Sequence, residues 1–174
     1  LRRALGQAEK WGLVARNVAK IVNAPRVVQA EIDPFTPEEA RAFVQAVQGE
    51  RLEALYTLAI ATGLRQAEVL GLSWRDINLD GAELTVRTTL QRINGEYQFV
   101  EPKTARSRRR LALPDMVVDA LRAHWGRQIE EMLHAGTEWQ ESGLVFTAPT
   151  GGPLSDRVVR DRFYRILENA GLRR

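Results

Sequence analysis

The chain has 174 residues, 44% hydrophobic and 27% charged, with a formal net charge of +3 and an isoelectric point near 9.7. That is enough apolar material for a core, and the basic balance suits a polyanion. There is no cysteine, which excludes disulfides and thiolate metal sites, and His124 and His134 alone make a poor zinc ligand set. No run approaches the roughly 18 apolar residues a membrane span needs. The start, Leu1-Arg2-Arg3-Ala4, lacks the apolar stretch of a secretory signal and an initiator Met. The expectation is a cytoplasmic, metal-independent protein without membrane association, and a chain that is a piece of a longer one.

Leu1, Ala4, Leu5, Ala8 and Trp11 have helical spacing, and Gly12 breaks it. Val18, Ile21 and Val22 suit a second short helical turn, and positions 24–34 read as a linker with two prolines. The next helix opens with Thr36 as N-cap, Pro37 at the first helical position and Glu39 completing a capping box. Ala40, Phe43, Val44 and Val47 form its apolar face. A helix from Leu52 to Thr62 stops at Gly63, and a short one follows from Gln66 to Leu72.

The period then changes. Asp80-Gly81 marks a turn, and Leu84 and Val86 alternate with Thr85 and Arg87 as in a strand. Asn94-Gly95 is a hairpin signal with Tyr97 to Val100 returning, and Leu111 and Leu113 mark a third strand. Beyond Pro114, Val117, Val118, Leu121, Trp125, Ile129 and Leu133 keep a helical period. Leu144-Val145-Phe146 is a short apolar extended segment. Ser155 can cap a last helix with Val158, Val159, Phe163, Ile166 and Leu167 inward, ended by Gly171. The expected class is α+β, mainly α: helices flanking a small three-stranded antiparallel sheet.

Two places can carry chemistry. Arg65 sits at a bend between a helix-ending glycine and a new helix, among core-like Leu64, Val69, Leu70 and Leu72. A guanidinium held there by packing can grip a phosphate with two parallel hydrogen bonds. Glu68, three residues on, is within reach to orient it. The plainer reading is a surface ion pair worth little. The second place is the basic run Lys103, Arg106, Arg108, Arg109 and Arg110. Lys103 follows Pro102, near a hairpin tip, and a lysine can give up a proton where an arginine cannot. The plainer reading there is a loop that touches phosphate without chemistry. Alternation puts Arg109 on the face of Leu111 and Leu113, with Arg108 and Arg110 opposite.

TGLRQAEVLGLSWRDINLD, positions 62–80, resembles the first catalytic-arginine box of the tyrosine recombinases, or phage integrases. PKTARSRRRLALP, positions 102–114, resembles the segment carrying their catalytic lysine. The order of helices, sheet, LVF segment, GGPLS loop and AGL helix end is similar too. The opening QAEKWGLVARNVAKIV resembles the end of the family's helical core-binding (SAM-like) domain. The resemblance implies two domains: residues 1–30 as that end plus linker, and 31–174 as the N-terminal part of the catalytic domain.

It further implies site-specific recombination or integration of double-stranded DNA through a 3′-phosphotyrosine, with no cofactor. Arg65 would stabilise charge on the phosphoryl oxygens, Lys103 would protonate the leaving 5′-oxygen, and Glu68 would support the arginine. Arg106, Arg108, Arg109 and Arg110 would meet the DNA backbone. Family members act as tetramers on paired sites. The family's His-x-x-Arg box and nucleophilic tyrosine fall after the AGL helix, so the chain is expected to stop before them and to be inactive alone. His124-Trp125-Gly126-Arg127 spells the motif on the wrong side of the GGPLS loop and reads as coincidence. A catalytically inactive DNA-binding protein on the same fold, or a type IB topoisomerase, are the alternatives.

Overall fold

The computed structural model describes residues 1–23, 33–100 and 108–173. The chain forms two compact units, Leu1–Pro34 and Phe35–Arg174. In the first, helix α1 (Arg2–Lys10) is followed by a 3-10 turn at Val18–Lys20. Asn17 is the fastener: its side chain donates to Arg2 O at 2.7 Å and accepts from the Ala19 amide at 3.1 Å, while its own amide donates to Glu9. Trp11, Leu13, Ile21 and Val22 are exposed.

The second unit opens with α2 (Pro37–Ala46). The expected capping box is formed, with the Thr36 amide donating to Glu39 Oε2 at 2.7 Å and the Glu39 amide to Thr36 Oγ1 at 3.2 Å. Helix α3 (Glu53–Thr62) buries Ala54 through Leu58, residues on all its faces, so it is the central rod of the unit. Gly63 closes it in the left-handed conformation, φ +64°. Helix α4 (Gln66–Leu70) follows at once. Phe43 of α2 packs edge-on against Tyr56 of α3 and Phe163 of the last helix, with centroids 5.8 and 5.3 Å apart.

The β region departs from its sequence reading. A three-stranded antiparallel sheet is present, in the order β1 (Ile77–Asn78), β2 (Glu83–Val86), β5 (Arg109–Ala112). The strand at Tyr97–Val100 is not part of it. That segment belongs to β4 (Glu96–Val100), which pairs with β3 (Thr89–Ile93) as a separate hairpin around Asn94-Gly95. The reason is a close approach at Gly71. A Cβ there would lie 2.7 Å from the Leu90 amide nitrogen and 2.9 Å from the Thr89 carbonyl carbon, so β3 runs directly over the end of α4. Thr88 Oγ1 donates to Gly71 O at 3.0 Å and fixes the departure from β2.

Helix α5 (Asp115–Ala135) buries Val117, Val118 and Leu121 as expected, then His124 and Gln128. Trp125, Ile129 and Leu133, read as inward, are 45%, 37% and 73% exposed. The polar pair is admitted because the extended segment at Leu144–Phe146 offers its carbonyls. Gln128 Nε2 donates to Leu144 O and Val145 O, and His124 Nε2 to Val145 O at 2.7 Å. Helix α6 (Asp156–Asn169) completes the unit, with Val159, Ile166 and Leu167 buried and Val158 exposed. Ser155 stands at its N-cap without a side-chain capping bond.

Candidate functional site

The site is built on the α3–α4 bend. Gly63 turns the chain, and Leu64, 7% exposed, anchors it in the core. Arg65 then takes the extended N-cap conformation of α4, φ −67° and ψ 148°. Its amide donates to Glu68 Oε2 at 2.8 Å, and its guanidinium, 79% exposed, stands 3.5 Å from Glu68 Oε1. The backbone of Arg65 is therefore fixed while its cationic head faces outward.

Glu68 is the buried centre of the arrangement, with its side chain 3% exposed. Besides the Arg65 amide it accepts a paired bond from β5: Arg109 Nη1 to Oε1 at 2.9 Å and Nη2 to Oε2 at 3.1 Å. These bonds explain why a carboxylate survives there. The Arg109 guanidinium, and then the Arg65 amide, hold the Glu68 carboxyl below its ordinary range against the opposing effect of burial. The same bond raises the pKa of Arg109. Two cations and one anion leave one positive charge over, on the exposed Arg65, which suits an anionic ligand. Gln66 Nε2 donates to Asp156 O at 3.1 Å and pins α4 to the start of α6.

Of the other expected residues, Lys103 and Arg106 lie outside the described residues. Arg108, just before β5, and Arg110, within it, are exposed, and Arg109 between them is half-buried, in keeping with the alternation read from the sequence. Arg110 has Glu83 at 3.9 Å, too loose to occupy it. Arg109 is turned to the core-facing side, opposite Val86, with its two terminal nitrogens on Glu68. The Arg109–Glu68 pair was not read from the sequence; its signal was the shared face of Arg109 and Leu111. A second pair also went unread, Arg87 with the buried Asp76 at 2.8 Å.

His124 and Arg127 are structural. The imidazole lies between Trp74 and Phe146, at centroid distances of 6.2 and 5.1 Å, and burial lowers its pKa. Arg127 Nη1 is 3.4 Å from Glu53 Oε2. Among the tyrosines, Tyr56 donates from its buried hydroxyl to Val159 O at 2.8 Å, and burial raises its pKa strongly. Tyr97 lies beneath Arg92, whose guanidinium is 5.8 Å from the ring centroid. Tyr164 is 40% exposed on α6 beside Phe163.

Among the described residues there is no group of three or more His, Asp or Glu side chains that could hold a metal ion, and no helix long and apolar enough to cross a membrane.

Residues 34–174 match the sequence profile of the phage integrase family. A tyrosine recombinase XerC-like protein of Caldanaerobacter subterraneus is 36% identical over 157 residues, covering 83% of this chain and 40% of that protein. An integrase of Streptomyces ambofaciens is 32% identical over 185 residues, covering 98% of this chain and 45% of the relative. In fold, the chain superposes on the Tn1549 transposon integrase in complex with a circular intermediate DNA, with a TM-score of 0.74 at 19% identity. That match covers 98% of this chain and 55% of the integrase. The chain thus spans about half the length of the proteins it matches. With the arginine-bearing bend, the small antiparallel sheet and the profile match in agreement, the chain belongs to the phage integrase family, the tyrosine recombinases.

Proposed function

We propose that residues 31–174 are the N-terminal part of the catalytic domain of a site-specific recombinase that cleaves and rejoins double-stranded DNA through a 3′-phosphotyrosine. The mounting of Arg65 is the observation that carries this reading. Its backbone is fixed by a buried carboxylate and its head is exposed, with net positive charge left over. Such a guanidinium stabilises the charge that develops on phosphoryl oxygens and needs little reorganisation to do so. Lys103 protonates the leaving 5′-oxygen, and Glu68 supports Arg65. Arg106, Arg108 and Arg110 meet the DNA backbone, positioning the duplex without reading its sequence.

The tyrosine that attacks the phosphate is none of the three present. Tyr56 is buried and bonded, Tyr97 lies under Arg92 and Tyr164 packs beside Phe163. On this reading these 174 residues alone bind DNA and do not cut it. Residues 1–30 are the end of a helical core-binding domain, which accounts for exposed Trp11, Leu13, Ile21 and Val22. A tetramer on paired sites is the assembly in which the full-length gene product acts, in the cytoplasm and without a cofactor.

The test is covalent trapping. The full-length gene product is incubated with nicked duplexes carrying candidate attachment sequences, and protein–DNA adducts are resolved under denaturing conditions. An adduct that disappears in Arg65→Ala is the expected result. Duplex binding without an adduct on any site would instead favour a catalytically inactive DNA-binding protein on this fold.

A further inference from the structure

We propose that Arg109 is a positioning residue, clamping the start of β5 to the bend that presents Arg65. The proposal rests on the role given above to Arg65. Its basis is the sharing of one carboxylate. Glu68 Oε2 accepts both from the Arg65 amide, at 2.8 Å, and from Arg109 Nη2, at 3.1 Å, while Oε1 accepts from Arg109 Nη1. Arg109 is the first residue of β5, two positions after the lysine-bearing segment ends, and Glu68 is the third residue of α4. The pair is thus a direct side-chain link between the mounting of Arg65 and the start of β5. Strand register enforces it: Arg109 stands opposite Val86, and a slip of one residue would turn it to the other face.

The residue type fits the task. A planar guanidinium offers two parallel N–H groups to two carboxylate oxygens and fixes the angle between the elements, whereas an ammonium is a point charge. Arg110, the next residue of β5, takes the opposite face and is exposed. Arg109 therefore differs in function from Arg110: its terminal nitrogens are spent on Glu68, and its side chain is 32% exposed. Arg65 and Arg109 are the charged groups that face the Glu68 carboxylate among the described residues.

Two measurements test the clamp. The first is adduct formation and DNA affinity in the full-length gene product carrying Arg109→Met, Glu68→Gln or both. Arg109→Met is expected to slow adduct formation roughly tenfold to a hundredfold, as misplacement of a catalytic group does. The slope of log affinity against log salt should stay unchanged, whereas Arg65→Met should lower it by about one phosphate contact. Adding Glu68→Gln to Arg109→Met should recover part of the rate, because no buried charge is left unpaired and the amide oxygen still accepts from Arg65. A salt slope lowered by Arg109→Met, or a double variant no faster than the single one, overturns the proposal.

The second measurement is carboxyl carbon NMR of Glu68 in the 174-residue chain. Arg109→Met should move its titration upward, and no movement overturns the clamp. If the wild-type protein neither binds nor cuts DNA, the functional reading fails, and the NMR titration still decides the clamp. Should Arg109→Met not fold, Arg109→Lys replaces it, with the same unchanged slope and slower adduct formation expected.

Discussion

The carboxylate of Glu68 and the guanidinium of Arg109 meet fork to fork, at 2.9 and 3.1 Å, although 41 positions separate them. The two halves are not equally replaceable. Removing Arg109 strands a carboxylate that is 3% exposed, whereas removing Glu68 strands a guanidinium that is 32% exposed and can hydrate. Arg109→Ala is therefore expected to cost about 3 kcal/mol, near the lower end for breaking a buried pair, and Glu68→Ala less.

The pH dependence should follow the same pair. The folded pKa of Glu68 lies below its ordinary 4.5, so its contribution is present above that pH and is lost as pH falls through the folded value. In Arg109→Ala the Glu68 carboxyl loses the largest influence that lowers its pKa and should take up its proton at a higher pH than in the parent, so the variant's deficit should narrow as pH falls. Urea unfolding of both proteins between neutral and acid pH measures this, and a deficit that widens toward acid would contradict it.

Gly71 is required for space and not for backbone conformation, since its φ is an ordinary −90°. In Gly71→Ala the new methyl meets backbone atoms of Thr89 and Leu90 at 2.7 to 3.0 Å, which cannot rotate away. The β3–β4 hairpin should shift, at a cost of roughly 1–3 kcal/mol for overpacking. Amide chemical shifts should change most at Thr89 and Leu90. Changes spread evenly through α5 and α6 would show that the hairpin does not bear on Gly71.

Gly63 is the opposite case. No atom lies within 4 Å of a Cβ built on it, yet its φ is +64°. Gly63→Ala should cost about 1–2 kcal/mol through the left-handed backbone alone. The cost should be the same in the Arg109→Met background, because the two effects share no partner. A double-variant cycle by urea unfolding checks this, and coupling beyond about 0.5 kcal/mol would mean that the bend and the clamp are not independent.

The bend at Arg65 was legible because its causes are local: a glycine that stops one helix, a leucine that packs, and an acid three residues on. The Asn94-Gly95 hairpin was legible for the same reason. Arg109 was legible only as a face. Alternation placed it with Leu111, but its partner depends on α4 lying beside the start of β5, a long-range contact that no local pattern encodes. The separation of β3–β4 from the sheet turned on the Gly71 approach, which is equally non-local. In α5 the apolar period favoured Trp125 and Ile129 over His124 and Gln128. The buried polar pair became readable only once the carbonyls of Leu144 and Val145 were seen to receive it.

His124 carries the last expectation. Its Nε2 donates to a carbonyl, which fixes the tautomer of the neutral ring with the proton on Nε2, and burial lowers its folded pKa below the ordinary 6.5. Arg127 and Arg51 oppose protonation as well, while Glu131 and the Val145 carbonyl favour it. The unfolded chain takes up a proton as pH falls through about 6.5 and the folded chain does not. Stability contributed by this group is therefore full above that pH. It declines by up to about 1.4 kcal/mol per unit as pH falls, until the folded pKa is reached. In His124→Gln that part of the slope should vanish. The unfolding free energy of the two proteins, followed from pH 8 to pH 5, should converge toward acid, and parallel curves would mean that the buried ring is protonated in the folded protein.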